Sequence, residues 1–294
     1  MSRDIQRYIS VEKNRIDQTL KAAFSNKTIP NNLSESMMYS LFAGGKRLRP
    51  ILLFASYHTF SDGSDKVLKT AVALEMIHTY SLIHDDLPAM DDDDYRRGSL
   101  TNHRKFDEAT AILAGDALLT YSFELITTDH LLTAEEKVYL LQALTKASGA
   151  EGMVAGQVLD TEGEKKQLTL KELEKIHELK TGELISFAIT AGAYLANVHE
   201  ETINHLQQFA YYLGLIFQVQ DDILDVIGDP EKLGKPVGSD EDKDKSTYPN
   251  LLGIEGAKAH KARYIQLAEE ALEKAGATNS YLYDLLYFFS ERDH

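Results

Sequence analysis

The sequence of 294 residues contains no cysteine. This absence excludes disulfide bonds, thiolate metal sites and a cysteine nucleophile, and it fits a reducing compartment. Basic residues are outnumbered: 31 lysines and arginines stand against 46 aspartates and glutamates, which gives a formal net charge of −15. Because nucleic acids and anionic membranes are bound by basic surfaces, this balance argues against both as partners.

Long hydrophobic runs are absent as well. No stretch of about 18 consecutive apolar residues occurs, and the first residues lack the apolar segment of a signal peptide. We therefore expect a cytoplasmic protein with no stable insertion into a membrane.

Proline is rare, with six residues, and no stretch alternates apolar and polar residues with the period of a strand. Apolar residues recur at helical spacing instead, so the sequence predicts one all-α domain, residues 1–294, with about twice the usual one-third share of helix. The predicted helices cover 3–24, 32 to the glycine pair 44–45, 51–60, 66–87, 109–127, 133–161, 169–181, 183–197, 200–228, 255–275 and 278–290. The polar stretch 228–248 is predicted to be a long loop, of the kind that often acts as a lid.

Two clusters of aspartate stand in apolar surroundings, DDLPAMD at 85–91 and DDILD at 221–225. Burying an unpaired charge costs several kcal/mol, so carboxylates placed this way indicate bound cations. Asp221 and Asp225 are four residues apart and share one face of a helix. Like charges at that spacing repel by about a few tenths of a kcal/mol, so the pair offers no structural advantage.

The first cluster is geometrically less simple. Asp91 lies about 240° from Asp85 around an ideal helix, so the two share a face only if the helix breaks. Pro88 can cause that break, because it lacks a backbone donor and clashes with the preceding turn. Asp92 would align with Asp85 without any break. Spacing therefore leaves both Asp91 and Asp92 as candidate ligands.

Carboxylate clusters without cysteine or aligned histidine favour Mg²⁺, with Mn²⁺ as the alternative. Because Mg²⁺ completes its shell with water and phosphate oxygens, two such clusters indicate a polyphosphate ligand. The loop GGKRLR at 44–49 offers three cations beside two flexible glycines and is interpreted as a phosphate cradle. Further positive charge comes from Arg96, Arg97, Lys180, Lys235 and Lys245.

These motifs, together with AILAGDALL at 111–119, KTG at 180–182, FQVQDDILD at 217–225 and DKST at 244–247, resemble the trans-isoprenyl diphosphate synthases. The bacterial farnesyl diphosphate synthases look most similar. The resemblance extends in the correct order from about residue 35 to 250. It implies a helical bundle of about ten or more helices around a central cavity, and a homodimer.

The resemblance also implies roles for individual residues. Isopentenyl diphosphate would be bound by Lys46, Arg49, His78 and Arg97. Three Mg²⁺ ions would be ligated by Asp85, Asp91 and Asp221, while Asp86, Asp222 and Asp225 would orient waters or neighbouring ligands. The allylic diphosphate would be bound by Arg96, Lys180 and Lys235, with Lys245 near the closing loop. Thr181 and Gln218 would lie beside the developing carbocation.

The implied reaction condenses isopentenyl diphosphate with dimethylallyl diphosphate and then with geranyl diphosphate to give farnesyl diphosphate. In the family the fifth and fourth residues before the first motif, here Tyr80 and Ser81, limit the product length. Ideal helix geometry puts Ser81 in line with Asp85, whereas Tyr80 is singled out by the resemblance alone. A bulky ring at that position predicts a fifteen-carbon product.

Alternative functions make different predictions for the same motifs. A geranylgeranyl diphosphate synthase would share the mechanism and differ in product length. A terpene cyclase or a squalene-type synthase would leave GGKRLRP without a purpose. A non-catalytic prenyltransferase subunit would tend to lose the acidic motifs, and both are intact here. A metal-buffering protein would bind Mg²⁺ without diphosphate.

Overall fold

A computed structural model of the protein describes residues 4–25, 27–164, 166–228 and 246–292. Helices account for 77% of these residues, so the predicted all-α class and its doubled share of helix are confirmed. Within the same ranges the only strands are β1 (Tyr95–Arg96) and β2 (Ser99–Leu100), which pair antiparallel.

The chain divides into two compact units. The N-terminal unit contains Gln6–Phe54 and Gly63–Leu141, and the C-terminal unit contains Ala55–Asp62 and the described residues from Gln142 onward. The single domain and its central cavity stay predictions.

In the first half of the chain, helix α4 is the buried element. The helices up to residue 148 are α1 (Ile5–Phe24), α2 (Asn31–Phe42), α3 (Leu48–Phe60), α4 (Asp65–Asp85), α5 (Asn102–Lys105), α6 (Glu108–Thr127) and α7 (Ala134–Ser148). Every residue of α4 from Thr70 to Ile77 is buried, as expected for a helix that is apolar on all sides. Helix α6 packs closely on it, because a Cβ at Gly115 would lie 2.6 Å from Cδ2 of His84.

In the C-terminal unit the longest helix, α11, carries the second aspartate cluster. The helices are α8 (Met153–Gly163), α9 (Leu170–His177), a π-helix (Glu178–Gly182), α10 (Glu183–Leu195), α11 (Glu200–Ile227), α12 (Tyr248–Lys274) and α13 (Tyr281–Ser290). Leu206, Leu213 and Ile216 belong to the buried stripe of α11, which packs along α12. A capping box of Thr169 and Glu172 starts α9.

The structure corrects several predicted boundaries. The predicted helix 133–161 is two helices, because Gly149 and Gly152 separate α7 from α8 and a Cβ at Gly152 would lie 2.6 Å from the carbonyl carbon of Ala147. The predicted helix 255–275 begins earlier, at Tyr248, and is interrupted at Gly253, whose φ is 71°. The hairpin β1–β2 and the short helix α5 were not predicted, because elements of two to four residues are too short to show a periodic pattern.

Helix α6 is the one helix in the described ranges long and apolar enough to cross a membrane. Its Ala111, Ala114 and Leu118 are fully buried in the N-terminal unit, whereas Ile112 and Leu113 are exposed. Buried helices of soluble proteins meet the same criterion of length and hydropathy, so this feature assigns no membrane span.

Candidate active site

The first aspartate cluster begins where α4 ends. After Asp85 the chain turns, and the backbone N–H of Asp91 donates to the carbonyl oxygen of Asp85 at 2.9 Å. Asp92 has a positive φ of 51° and its N–H donates to the carbonyl of Leu87 instead. The break expected at Pro88 is therefore present, and it returns Asp91 to Asp85. This turn favours Asp91 over Asp92 as the partner of Asp85.

Asp86 is held by a cation from the hairpin that follows. Arg96 Nε donates to Asp86 Oδ1 at 2.7 Å. Arg96 is placed there by a two-residue turn in which Arg97 and Gly98 both have positive φ, as a type I′ hairpin requires. Burial raises the pKa of the Asp86 carboxyl above its ordinary value, although the hydrogen bond from Arg96 opposes that shift.

The next residue of the hairpin, Arg97, lies on the glycine-rich loop. Its Nη1 donates to the carbonyl oxygen of Gly44 at 2.8 Å. A Cβ at Gly45 would lie 2.9 Å from Arg97 Cζ, and Gly45 has a φ of 112°, so this position needs glycine for both reasons. The structure thus brings Arg97, which the resemblance assigns to isopentenyl diphosphate, to the loop that carries Lys46.

Arg49 and His78, which were predicted to share the isopentenyl site, are in contact. Arg49 Nη1 lies 3.3 Å from His78 Nε2, and because a guanidinium can only donate, the ring nitrogen is the acceptor. Burial and the positive charge of Arg49 and Arg97 hold the pKa of His78 well below its ordinary value. His78 is therefore neutral at pH 7.

Arg47 has a different role from its neighbours. Its side chain is only 3% exposed, with Nε 2.9 Å from Asp17 Oδ1 and Nη1 2.8 Å from Glu75 Oε1. Arg47 thus supports the loop from inside, and the interpretation of it as a third cation of the phosphate cradle is wrong. The sequence could not distinguish it from Lys46 and Arg49, because its partners lie on α1 and α4.

Tyr80 lies in the interior of the N-terminal unit. It is 6% exposed, and its ring contacts His84 edge to face with the centroids 5.8 Å apart. Burial raises the pKa of its phenol to about 12. Ser81 Oγ, in contrast, donates to the carbonyl oxygen of His78 at 2.9 Å, within the same helix. The bulk at this level of α4 is therefore the ring of Tyr80.

The second aspartate cluster lies on an unbroken helix, and its carboxylates differ in exposure. Asp222 and Asp225 are buried, whereas the side chain of Asp221 is 45% exposed. Asp222 Oδ2 accepts the backbone N–H of Tyr248 at 2.9 Å. Asp221 Oδ1 accepts from Arg292, whose guanidinium also lies over the ring of Phe217 at 3.9 Å from its centroid.

The KTG motif at 180–182 forms most of the π-helix that follows α9. Lys180 Nζ is 2.7 Å from Asp160 Oδ2, and Thr181 Oγ1 donates to Gln218 Oε1 at 3.0 Å. Single π-turns within helices are frequent at functional sites. A cavity of about 160 Å³ adjoins this turn, and its lining includes Asp160, His177, Lys180, Thr181, Gln218, Asp222 and Thr247.

Three residues at this site were not predicted from the sequence: Asp160 and His177, which line the cavity, and Tyr248, which follows the lining residue Thr247. Asp160 lies seven residues after Met153 and four after Gly156, both buried, so its place on the inner face of α8 was a usable signal. His177 lies within the apolar periodicity of the predicted helix 169–181 and Tyr248 at the end of the predicted loop 228–248, so neither carries a comparable signal. Lys235 and Lys245, with most of the loop 228–248, lie outside the described residues.

The donor set suits a hard cation. Both clusters supply carboxylate oxygens, and in the described parts of the chain no three histidine, cysteine or acidic side chains group closely enough to enclose a metal ion by themselves. Mg²⁺ commonly takes only one or two carboxylates and completes its shell with water and phosphate oxygens. The residues present therefore fit Mg²⁺ ions that are held jointly by the protein and a diphosphate.

Comparison with known proteins by family profile, by sequence and by structure identifies the same family of enzymes. The Polyprenyl synthetase family profile matches residues 30–285. Farnesyl diphosphate synthase of Bacillus subtilis is 47% identical over 297 residues, with 100% of each chain covered, and that of Micrococcus luteus is 51% identical over 263 residues, with 90% of each covered. A solved geranyltransferase of Helicobacter pylori, complexed with magnesium and isoprenyl diphosphate, has a TM-score of 0.85 at 35% identity and covers 98% of this chain and 97% of its own.

Proposed function

Because the chain belongs to the polyprenyl synthetase family, as its motifs indicated, we propose that it is a prenyltransferase that makes farnesyl diphosphate. It condenses isopentenyl diphosphate with dimethylallyl diphosphate and then with geranyl diphosphate. The observation that carries the proposal is the turn that returns Asp91 to Asp85 while Arg96 binds Asp86. Adjacent carboxylates with a bound guanidinium suit a diphosphate and its Mg²⁺ ions.

The allylic diphosphate is assigned to the cations near the two motifs. Arg96, Lys180 and Lys235 bind it, with Lys245 near the closing loop, while Asp85, Asp91 and Asp221 hold three Mg²⁺ ions and Asp86, Asp222 and Asp225 orient the coordination shell. Bound Mg²⁺ stabilises the negative charge of the departing diphosphate. The assignment of Lys180 to the allylic diphosphate is supported by its partly buried ion pair with Asp160, which already fixes its ammonium group.

The chemistry needs no protein nucleophile. The C–O bond of the allylic diphosphate breaks, the alkene of isopentenyl diphosphate attacks C1 of the resulting cation, and a proton leaves to the departing diphosphate. Thr181 and Gln218, joined by their hydrogen bond, offer oxygen dipoles that stabilise positive charge beside the π-helix. Water must be excluded while the cation exists, which assigns a closing function to the loop 228–248.

Isopentenyl diphosphate is assigned to the glycine-rich loop. Lys46, Arg49 and Arg97 supply positive charge for its diphosphate, and Arg97 is held over the loop by the carbonyl of Gly44. Neutral His78 accepts from Arg49 and so orients that guanidinium, without adding charge of its own. This division leaves Arg96 for the allylic substrate and Arg97 for isopentenyl diphosphate.

The product length is assigned to Tyr80. Its buried ring, packed on His84, ends the space available to the growing chain, whereas Ser81 is small and bonded to its own helix. We expect Tyr80→Ala to lengthen the product beyond fifteen carbons and Ser81→Ala to leave it unchanged. Mass spectrometry of the two product mixtures decides between them, and a fifteen-carbon product from Tyr80→Ala would remove Tyr80 as the limit.

The assembly and the location follow from the same proposal. The protein acts in the cytoplasm as a homodimer, and the exposed Ile112 and Leu113 of α6 offer an apolar surface for the second copy. Sedimentation of the wild type and of Leu113→Glu tests this surface. The wild type should sediment as a dimer, and the variant should shift toward monomer.

The first experiment is a product assay with purified protein, Mg²⁺, labelled isopentenyl diphosphate and dimethylallyl diphosphate. Farnesyl diphosphate as the main product supports the proposal. A twenty-carbon product would keep the reaction and contradict the role of Tyr80. No condensation, with Mg²⁺ bound, would contradict the enzymatic function itself.

A further inference from the structure

In the C-terminal unit, a cluster of aromatic rings, His177, Tyr248 and Tyr264, is connected by a hydrogen bond to a carboxylate of the second aspartate cluster. Tyr248 is fully buried at the start of α12, and its backbone N–H donates to Asp222 Oδ2 at 2.9 Å. Thr247 caps the same helix, with its hydroxyl accepting from the N–H of Asn250. The hydrogen bond from Tyr248 to Asp222 therefore depends on the position of the first turn of α12.

The ring of Tyr248 is fixed on two sides. It stacks on the imidazole of His177, with centroids 6.0 Å apart and planes 13° apart. On another side it meets Tyr264 nearly perpendicularly, with the two hydroxyl oxygens 3.3 Å apart. Because Tyr264 donates its one proton to Glu174, the hydroxyl of Tyr248 must be the donor to Tyr264. The order of donation is thus Tyr248 to Tyr264 to Glu174.

His177 behaves in this group as a neutral aromatic ring. Its Nε2 is buried and has no hydrogen-bond partner among the described residues, and burial lowers its pKa to about 4. A protonated imidazole would need a partner that this site does not supply. His177 also immediately precedes the π-helix of Lys180 and Thr181. The stack of His177 on Tyr248 therefore connects this π-helix to the residue whose N–H binds Asp222.

We propose that Tyr248 is a positioning residue for the second metal-binding motif, and that His177 and Tyr264 act through it by fixing its ring. The inference rests on the proposed function, because it assigns Asp222 to the shell around Mg²⁺. With Oδ2 held by the N–H of Tyr248, the carboxylate of Asp222 is fixed in its direction. Groups that orient ligands in this way typically change metal affinity by about 10–100-fold when they are removed.

Two pairs of variants separate positioning from structural support. His177→Ala removes the stacked ring, whereas His177→Phe keeps a ring and removes only the nitrogens. Tyr264→Phe removes the hydroxyl that links Tyr248 to Glu174. Its matched control is Tyr283→Phe, which removes a similar bond, from Tyr283 to Glu269 at 2.8 Å, between α13 and α12 and away from Asp222.

The experiment is calorimetric titration of each full-length variant with Mg²⁺ in the presence of inorganic pyrophosphate, together with thermal unfolding without metal. We expect His177→Ala and Tyr264→Phe to bind Mg²⁺–pyrophosphate about tenfold more weakly. His177→Phe and Tyr283→Phe should bind as the wild type does. If His177→Ala does not fold, Tyr264→Phe against Tyr283→Phe decides the question.

Two outcomes would overturn the inference, and a third would contradict only the proposed reaction. Equal Mg²⁺ affinity in all variants, with a lower Tm only for His177→Ala and Tyr264→Phe, would leave these residues a purely structural role. Absence of Mg²⁺–pyrophosphate binding in the wild type would do the same. A wild type that binds Mg²⁺–pyrophosphate with the expected pattern, yet forms no prenyl product, would contradict the proposed reaction and keep the positioning role.

Discussion

The two aspartate clusters are built in opposite ways. The first lies beyond the end of a helix, and its contacts are local: Asp91 bonds to Asp85, and Arg96 is 10 residues from Asp86. The second lies within a continuous helix, and its partners come from far along the chain: Tyr248 is 26 residues from Asp222 and Arg292 is 71 residues from Asp221. Local contacts are thus set by turn chemistry, whereas distant ones depend on how α12 and α13 pack on α11.

The largest effect is expected at the turn of the first cluster. Asp91→Asn removes a proposed Mg²⁺ ligand beside Asp85, so kcat/KM should fall by about 10²–10³-fold. Asp92→Asn is the matched control, because it is the same substitution at the neighbouring residue, whose backbone N–H bonds to Leu87 and not to Asp85. Its kcat/KM should stay within about threefold of the wild type. Steady-state kinetics on both variants test the choice, and the reverse order would make Asp92 the ligand.

A second test concerns the loop that receives Arg97. Gly45→Ala places a methyl against the Arg97 guanidinium at a position of positive φ, so the KM for isopentenyl diphosphate should rise about tenfold while the KM for dimethylallyl diphosphate changes little. Gly63→Ala serves as control, because Gly63 has a φ of 79° and no atom within 4 Å of an added Cβ. A similar rise in Gly63→Ala would reduce the effect to backbone strain.

The pH dependence of stability tests His177, which belongs to the contacts around the second aspartate cluster. The pKa of His177 is lowered to about 4 in the folded protein, so the unfolded chain binds the extra proton first as the pH falls. His177 therefore does not lower the free energy of unfolding above about pH 6.5, and it lowers this free energy progressively as the pH falls from about 6.5 to 4. We expect His177→Phe to lose about 1–2 kcal/mol less free energy of unfolding than the wild type between pH 7 and pH 5.

Urea unfolding at the two pH values measures this difference. The exposed His130→Phe is the control and should show the same loss as the wild type. If His177→Phe and the wild type lose equal stability, His177 is not held neutral by the fold.

The smallest effect is expected at the C-terminal contact of the second cluster. Arg292 binds the carboxylate of Asp221, which the proposed function also gives to Mg²⁺, so the cation and the guanidinium compete. Arg292→Met should strengthen Mg²⁺ binding in the presence of pyrophosphate by at most about fivefold. Lys258→Met, which removes the exposed pair with Glu255, should leave the Mg²⁺ affinity unchanged. Weaker binding in Arg292→Met would show that Arg292 supports the site.

The features that the sequence predicts follow the same division between local and distant contacts. The helix break at Pro88 is predicted because proline acts on its own turn. Spacing leaves both Asp91 and Asp92 as partners of Asp85, and only the backbone hydrogen bond from Asp91 to Asp85 separates them. Arg47 was misassigned, because its burial depends on Asp17 and Glu75, which lie 30 and 28 residues away. Helix periodicity gave α4 and α11 nearly to the residue, but the glycines that separate α7 from α8 act through a close approach that periodicity does not record.

The sequence by itself determined the helical class, the acidic and basic motifs with their order, and the family to which these belong, since periodicity, charge and spacing are properties of the chain. Only the tertiary structure decided which cation contacts which carboxylate and that Arg47 is internal. It also decided that the N–H of Tyr248 binds Asp222 while its ring packs on His177 and Tyr264. The physical reason is that burial and hydrogen-bond partners are set by packing between distant helices, and no local pattern of residues encodes that packing.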